Sequence, residues 1–140
     1  KDIPTIPKDI LVICVENFEN IVYAEKQFKY FALTNILFVY RNRSMLKFIE
    51  NLENEIIYFG DFDLAGIFIY QTEILPKNKN ISFFIPSNIE ECIIKFGSKK
   101  LYEKQLNKYK VSSSNSDISK LINIINNEQK SLEQEYFIGE

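Results

Sequence analysis

Three carboxylates stand at points in the sequence where apolar runs end. Glu16 closes the run "DILVICVE", and Asp61 and Asp63 follow "EIIYF" in the motif "GDFD". Residues i and i+2 of an extended chain point the same way, so both aspartates can reach one ion. Clustered carboxylates raise one another's pKa unless a cation neutralises them, and oxygen ligands favour Mg²⁺, for which Mn²⁺ can substitute. The pattern predicts a metal site formed by these three acids.

Short apolar runs rich in β-branched residues predict the strands that would position the acids. They span 9–16, 35–40, 55–59 and 81–85. Helical patterns lie between and after them, at 18–31, 44–53, 64–74, 86–96, about 99–109 and about 117–136. This alternation predicts an α/β, Rossmann-like fold, with a mainly parallel four-stranded sheet, helices on both faces and extra C-terminal helices.

The order of the strands decides whether the acids meet. In open α/β sheets, sites lie beyond the carboxyl ends of the strands. If the first and third strands are parallel neighbours, Glu16, Asp61 and Asp63 project from the same edge. Each acid also has a structural alternative: Asp63 could cap a helix that begins near Leu64, Asp61 could hold the turn, and Glu16 could be a solvated loop acid.

Two groups of basic residues are candidates for contacts with DNA phosphates. Within 95–110, which holds six lysines and one acid, Lys100, Lys104 and Lys108 recur every four residues and so share one face of a helix. We name these three residues the lysine stripe. The chain's only arginines, Arg41 and Arg43, follow the second strand. A solvated helix face and an ordinary surface loop remain the alternatives for these two groups.

The composition narrows the classes of function. The chain has 140 residues, enough for one domain. Its net charge of −2 gives no indication of nucleic-acid binding. It contains no histidine, which excludes serine–histidine triads and histidine zinc sites. No apolar run reaches the ~18 residues of a membrane helix. Both cysteines, Cys14 and Cys92, lie in apolar runs and no signal-peptide pattern opens the chain, so we expect a cytoplasmic protein. Because the chain opens with Lys1, we interpret it as part of a longer polypeptide, with a lead-in at 1–8 and one domain at 9–140.

The segments "VENFEN" and "YFGDFDLAG" resemble the two signature motifs of the Toprim domain. They are most similar to those of topoisomerase VI A subunits and of JetD, the nuclease subunit of Wadjet plasmid-defence systems. The resemblance implies a Mg²⁺-dependent catalytic domain that cleaves DNA phosphodiester bonds within a larger nuclease or topoisomerase VI A-like protein. Glu16 would act as general acid/base or metal ligand, while Asp61 and Asp63 would hold the ion.

The end of the chain extends the resemblance. The residues "LEQE" (132–135) resemble the end of JetD-like domains, so that Glu133 or Glu135 could supply a further ligand if the last helix returns to the site. Topoisomerase VI-like enzymes also use a tyrosine from a separate winged-helix domain, which is not visible here. Hydrolysis by a metal-activated water is therefore the simpler chemistry. DNA is the implied partner, within a homodimer or a larger assembly with other domains of the parent protein.

Two other functions remain open. A Toprim-like fold can serve as a non-catalytic dimerisation or DNA-docking module. An apolar strand followed by "DFD" also resembles the opening motif of haloacid-dehalogenase-type phosphatases, in which Asp61 would be the nucleophile. Against that resemblance, the motif lies on the third predicted strand rather than the first, and Ala65 stands where threonine or valine is usual.

Overall fold

The computed structural model describes residues 6–16 and 35–133, and within them the chain forms a four-stranded sheet in the order β2-β1-β3-β4. All three strand pairs are parallel. The strands are β1 (Leu11–Val15), β2 (Ile36–Tyr40), β3 (Ile56–Phe59) and β4 (Ile81–Phe83). The predicted α/β, Rossmann-like sheet is confirmed.

The two central strands are covered on both faces. All five residues of β1 are buried, and successive side chains of a strand point to opposite faces of the sheet. Burial of the whole strand therefore requires packing on each side, which explains why β1 reads as a continuous apolar run and not as an alternating one. Strand β2 lies at the sheet edge and is half-exposed.

Helices within the described ranges connect the strands and follow the last one. They are α1 (Arg43–Glu50), α2 (Leu64–Ile69), α3 (Ile89–Phe96), α4 (Lys99–Gln105) and α5 (Ser116–Glu128). Helix α2 continues into a π-helical segment, Tyr70–Ile74, and a short 3₁₀ turn, Leu75–Lys77. None of these helices has the length and apolarity needed to cross a membrane. The helix predicted at 18–31 lies outside the described residues.

The last two predicted helices are shorter than expected. Helix α4 ends at Gln105, so Lys108 of the lysine stripe lies in the following turn, where its N–H donates to the Gln105 carbonyl at 3.0 Å. Helix α5 ends at Glu128 because Gln129 adopts the left-handed conformation with φ 54°. Its last buried apolar residue is Ile125, and the next turn has no apolar side chain to bury. The prediction that residues 129–133 are helical was wrong.

After α5, the chain reverses direction and pairs with two earlier segments that lie outside the strands. Ser131 pairs with Ser98 and Leu132 pairs with Phe62 in two isolated antiparallel bridges. The Phe62 N–H donates to the Leu132 carbonyl at 2.8 Å, and the Leu132 N–H donates to the Phe62 carbonyl at 3.0 Å. Since Phe62 is the residue between the two aspartates of "DFD", this bridge brings residue 133 beside the motif.

Candidate functional site

Strands β1 and β3 bring their carboxyl ends to one edge of the sheet. They are parallel neighbours with Val15 opposite Phe59, and the Glu16 N–H donates to the Phe59 carbonyl at 3.4 Å. Glu16 and the "GDFD" turn therefore leave the sheet side by side. The adjacency on which the predicted site depends is confirmed.

The Glu16 carboxylate is held on two sides. The Tyr58 hydroxyl donates to Oε2 at 2.8 Å, and Arg41 Nη2 lies 3.8 Å from Oε1. Only 18% of the Glu16 side chain is exposed, so Glu16 is not the solvated loop acid of the alternative interpretation. Gly60 packs against this pair: a Cβ at that position would lie 2.5 Å from the Tyr58 ring and 3.3 Å from Glu16 Oε2.

Tyr58 acts as a permanent hydrogen-bond donor to Glu16. Its side chain is fully buried, and burial raises the pKa of the phenol far above its ordinary value. The negative charges of Glu16 and Asp61 raise this pKa further, while the Arg41 charge opposes them. Tyr58 therefore stays protonated, and both acids lie within electrostatic reach of its hydroxyl.

Asp63 is the N-cap of helix α2. Its Oδ1 accepts a hydrogen bond from the Gly66 N–H at 2.6 Å, which satisfies one of the free donors at the helix start. Its Oδ2 accepts from Gln105 Nε2 at 3.1 Å, while Gln105 Oε1 accepts from the Ala65 N–H at 3.2 Å. The capping alternative for Asp63 is thus confirmed, whatever else its carboxylate binds. A Cβ at Gly66 would overlap the Asp61 carbonyl oxygen.

The pKa of the Asp63 carboxyl responds to burial and to the neighbouring charges. It is 3% exposed, and burial raises the pKa of its carboxyl above 3.8, although the hydrogen bonds from Gly66 and Gln105 oppose this shift. The carboxylates of Glu16 and Glu133 raise the pKa further. Glu133 is exposed and Asp61 is half-buried. We call Glu16, Asp61, Asp63 and Glu133 the acidic edge.

The donor set of the acidic edge suits a hard cation, but its oxygens are not assembled around one point. Within residues 6–16 and 35–133, no three acid, cysteine or histidine side chains are grouped closely enough to hold a metal ion. Glu16 turns towards Tyr58 and Arg41, and Asp63 turns towards Gly66 and Gln105. Joint binding of an ion would require these side chains to converge. Glu135 lies outside the described residues.

Comparison with known families places almost the whole chain in one of them. A family model matches residues 3–140. The chain belongs to the family described as Domain of unknown function (DUF7281). No curated protein and no solved structure matches the chain. The description of DUF7281 assigns no activity, so the function rests on the chemistry of the acidic edge.

The basic residues of this DUF7281 domain differ in their relation to the acidic edge. Arg41 reaches it: its guanidinium lies between Glu16 and Glu73, with Nη1 3.3 Å from Glu73 Oε2. Its Nε atom is buried and has no hydrogen-bond partner among the described residues. Arg43 is exposed at the start of α1. The lysine stripe is exposed on α4 and in the turn after it.

Two residues of the site were not predicted from the sequence. The sequence provided only a weak indication of Tyr58: it is the one residue with a polar group in an apolar strand, two positions before Gly60. Gln105 carried none, because its contacts join α4 to the start of α2, 40 residues earlier. Gln105 links the helix of the lysine stripe to Asp63.

Proposed function

We propose that the chain is a Toprim-like catalytic domain that cleaves DNA phosphodiester bonds with Mg²⁺, within a larger nuclease or topoisomerase VI A-like protein. Defence against plasmids or phages fits such a nuclease. The observation that carries the proposal is the meeting of Glu16 with Asp61 and Asp63 at the carboxyl edge of adjacent parallel strands. Glu133 adds a fourth acid to this edge through the Phe62–Leu132 bridge.

The side chains of the acidic edge are of the chemical type that binds Mg²⁺. The acidic edge offers carboxylate oxygens. Burial raises the pKa of Asp63 most, and the repulsion by Glu16 and Glu133, which raises it further, is the interaction that a cation would relieve. Asp61 and Asp63 would hold the ion, with Glu133 as a further ligand. When bound, the ion would orient the scissile phosphate and stabilise charge on the leaving oxygen.

The remaining residues have separate roles in this proposal. Tyr58 occupies Oε2 of Glu16, which leaves Oε1 to accept the proton of the attacking water. Arg41, next to Oε1, would exchange its contact with Glu73 for a phosphate oxygen. The lysine stripe would follow the DNA backbone away from the acidic edge.

A plasmid-nicking assay tests this function. Supercoiled plasmid is incubated with the full-length protein and Mn²⁺ or Mg²⁺, and nicking is expected with the wild type but not with the Asp61→Ala/Asp63→Ala double variant. Calorimetry should show that the double variant also loses Mn²⁺ affinity. Asn115→Ala, which removes the N-cap of helix α5 and leaves the acidic edge unchanged, is the control for a general loss of stability.

The assay also distinguishes the other functions. DNA binding or dimerisation by a folded wild type that never nicks would favour the non-catalytic module. Unchanged Mn²⁺ affinity in the double variant would refute the metal site. Turnover of a chromogenic phosphate monoester, abolished by Asp61→Asn, would favour the phosphatase.

A further inference from the structure

Gln105, the last residue of α4, binds two groups at the start of helix α2. Its Nε2 donates to Asp63 Oδ2 at 3.1 Å, and its Oε1 accepts from the Ala65 N–H at 3.2 Å. A backbone N–H can only donate and an ionised carboxylate can only accept, so a single orientation of the amide satisfies both contacts. Gln105 is therefore fixed with its NH₂ group towards the Asp63 carboxylate.

The backbone of Gln105 is anchored as well. Its carbonyl accepts from the N–H groups of Lys108 and Tyr109 at 3.0 Å and 3.1 Å, which closes the turn after α4. The centre of the Tyr109 ring lies 5.3 Å from that of Phe68 in α2. Helix α4 and the turn that follows it thus both contact α2, which keeps the Gln105 side chain beside Asp63.

The capping role of Asp63 does not by itself require this contact. Three other helices in the described part of the chain begin with a side-chain cap, namely Asn42 for α1, Ser98 for α4 and Asn115 for α5. Each of these side chains accepts from backbone N–H groups, and no other side chain among the described residues bonds to it. Of the four caps, Asp63 alone is charged and is held by a second side chain.

The Asp63 carboxylate keeps acceptor capacity after both of its hydrogen bonds. Oδ1 accepts from the Gly66 N–H at 2.6 Å and Oδ2 from Gln105, while an ionised carboxylate offers about four lone-pair sites. One lone pair of each oxygen is therefore left for another ligand. Asparagine would cap α2 without burying a charge, so the cap does not explain why the residue is an acid.

We propose that Gln105 is a positioning residue that holds the Asp63 carboxylate in the orientation in which it binds the divalent cation of the acidic edge. This inference rests on the metal site of the proposed function. Carboxylates that ligate metal ions are themselves hydrogen-bonded by neighbouring groups, and loss of such a neighbour typically reduces metal affinity about 10–100-fold. Gln105 has the contacts of such a neighbour, because it bonds to Asp63 and leaves lone pairs of both carboxylate oxygens available.

A fixed Asp63 assigns the movement needed for metal binding to other acids. Both oxygens of Asp63 are already bonded and its side chain is buried, whereas Glu133 is exposed and Asp61 is half-buried. The convergence of the acidic edge on one ion therefore falls to Asp61 and Glu133, with Asp63 as the fixed ligand.

Calorimetry with Mn²⁺ on the full-length protein tests the role of Gln105. Gln105→Met keeps a side chain of similar length but offers no donor to Asp63, so Mn²⁺ affinity should fall about 10–100-fold. Tyr102→Phe is the matched control on the same helix, because it removes the bond from the Tyr102 hydroxyl to Asn126 and leaves the contacts of Asp63 unchanged. Its Mn²⁺ affinity should equal that of the wild type.

Thermal unfolding in metal-free buffer separates positioning from a loss of stability. Each variant loses a hydrogen bond of α4, so Tm should fall in both, whereas Mn²⁺ affinity should fall in Gln105→Met alone. Wild-type or higher Mn²⁺ affinity in Gln105→Met would overturn the proposal. Equal losses of affinity in the two variants would also overturn it, because they would indicate a general loosening of α4.

The outcomes are distinguishable from those of the cleavage proposal. Mn²⁺ binding that depends on Gln105, in a wild type that never nicks plasmid, would keep the positioning role and refute cleavage. Metal-dependent nicking by the wild type, with unchanged Mn²⁺ affinity in Gln105→Met, would refute the positioning role and keep cleavage. A wild type that binds no Mn²⁺ would refute both.

Discussion

Replacing Asp63 separates the two roles that its carboxylate combines. Oδ1 caps helix α2 through the Gly66 N–H at 2.6 Å, and the same carboxylate is the second aspartate of the proposed metal site. Asparagine retains an oxygen that can cap the helix but removes the charge. Alanine removes both. The two variants should therefore lose Mn²⁺ affinity alike and differ in stability.

The expected difference follows from the contacts of Asp63. Both substitutions disrupt the bond to Gln105, because an amide at position 63 places its NH₂ opposite the Gln105 NH₂ and alanine offers no acceptor. Both also relieve the burial of a charge. What remains is the cap, which contributes about 1 kcal/mol. The Ala variant should thus unfold with a free energy about 1 kcal/mol lower than the Asn variant, or a Tm lower by roughly 4 °C.

Urea unfolding and calorimetry with Mn²⁺ measure the two effects. Asn115→Ala is the matched control, since Asn115 caps α5 by accepting from the N–H groups of Asp117 and Ile118 at 3.0 Å and 3.1 Å. It should lose about 1 kcal/mol of stability and keep its Mn²⁺ affinity. Equal stabilities of the two Asp63 variants would refute the capping argument. Wild-type Mn²⁺ affinity in Asp63→Asn would remove Asp63 from the metal site.

Three further predictions concern the surroundings of the acidic edge. Tyr58→Phe should lower the unfolding free energy by about 1–2 kcal/mol, more than the Tyr102→Phe control, because Tyr58 donates to the charged Glu16 and Tyr102 to a neutral amide. In metal-free buffer, the raised pKa of Asp63 means that the folded protein binds the Asp63 proton more tightly than the unfolded chain does. Urea titrations should therefore show the unfolding free energy, relative to that of Asp63→Asn, falling as pH rises from about 3.8 through the folded pKa. An unfolding free energy that rises over this range would contradict the prediction. Replacing each lysine of the stripe by glutamine should reduce the slope of log affinity for duplex DNA against log salt by about 0.9, and an unchanged slope would exclude a phosphate contact.

The meeting of Glu16 with the "GDFD" turn was predictable from the sequence because it depends on strand order alone. Continuous apolar runs indicate buried parallel strands, and parallel strands place their carboxyl ends at one edge. The alternatives for Asp61 and Asp63 were not decided by that argument. Whether a carboxylate caps a helix depends on backbone angles at residues 63–66, and these are set when α2 packs against α4 and α5.

The contact of Gln105 with Asp63 could not be predicted from the sequence for a different reason. Gln105 approaches Asp63 from a segment about 40 residues away in the chain, and no local period encodes such a contact. Glu133 was a candidate only through the resemblance of "LEQE", and the helix expected at 117–136 gave the wrong backbone for its approach. Because α5 stops at Glu128, the chain can reverse and pair Leu132 with Phe62.

The Phe62–Leu132 pairing fixes the turn that carries both aspartates. The side chain of Phe62 is buried, so its backbone is fixed between the two aspartates, and its N–H and carbonyl are both bonded to Leu132. Residues 131–133 therefore hold the "GDFD" turn in place and bring Glu133 to the acidic edge. Any change that releases Leu132 should therefore loosen both aspartates and move Glu133 away from Asp63, so the acidic edge depends on this pairing.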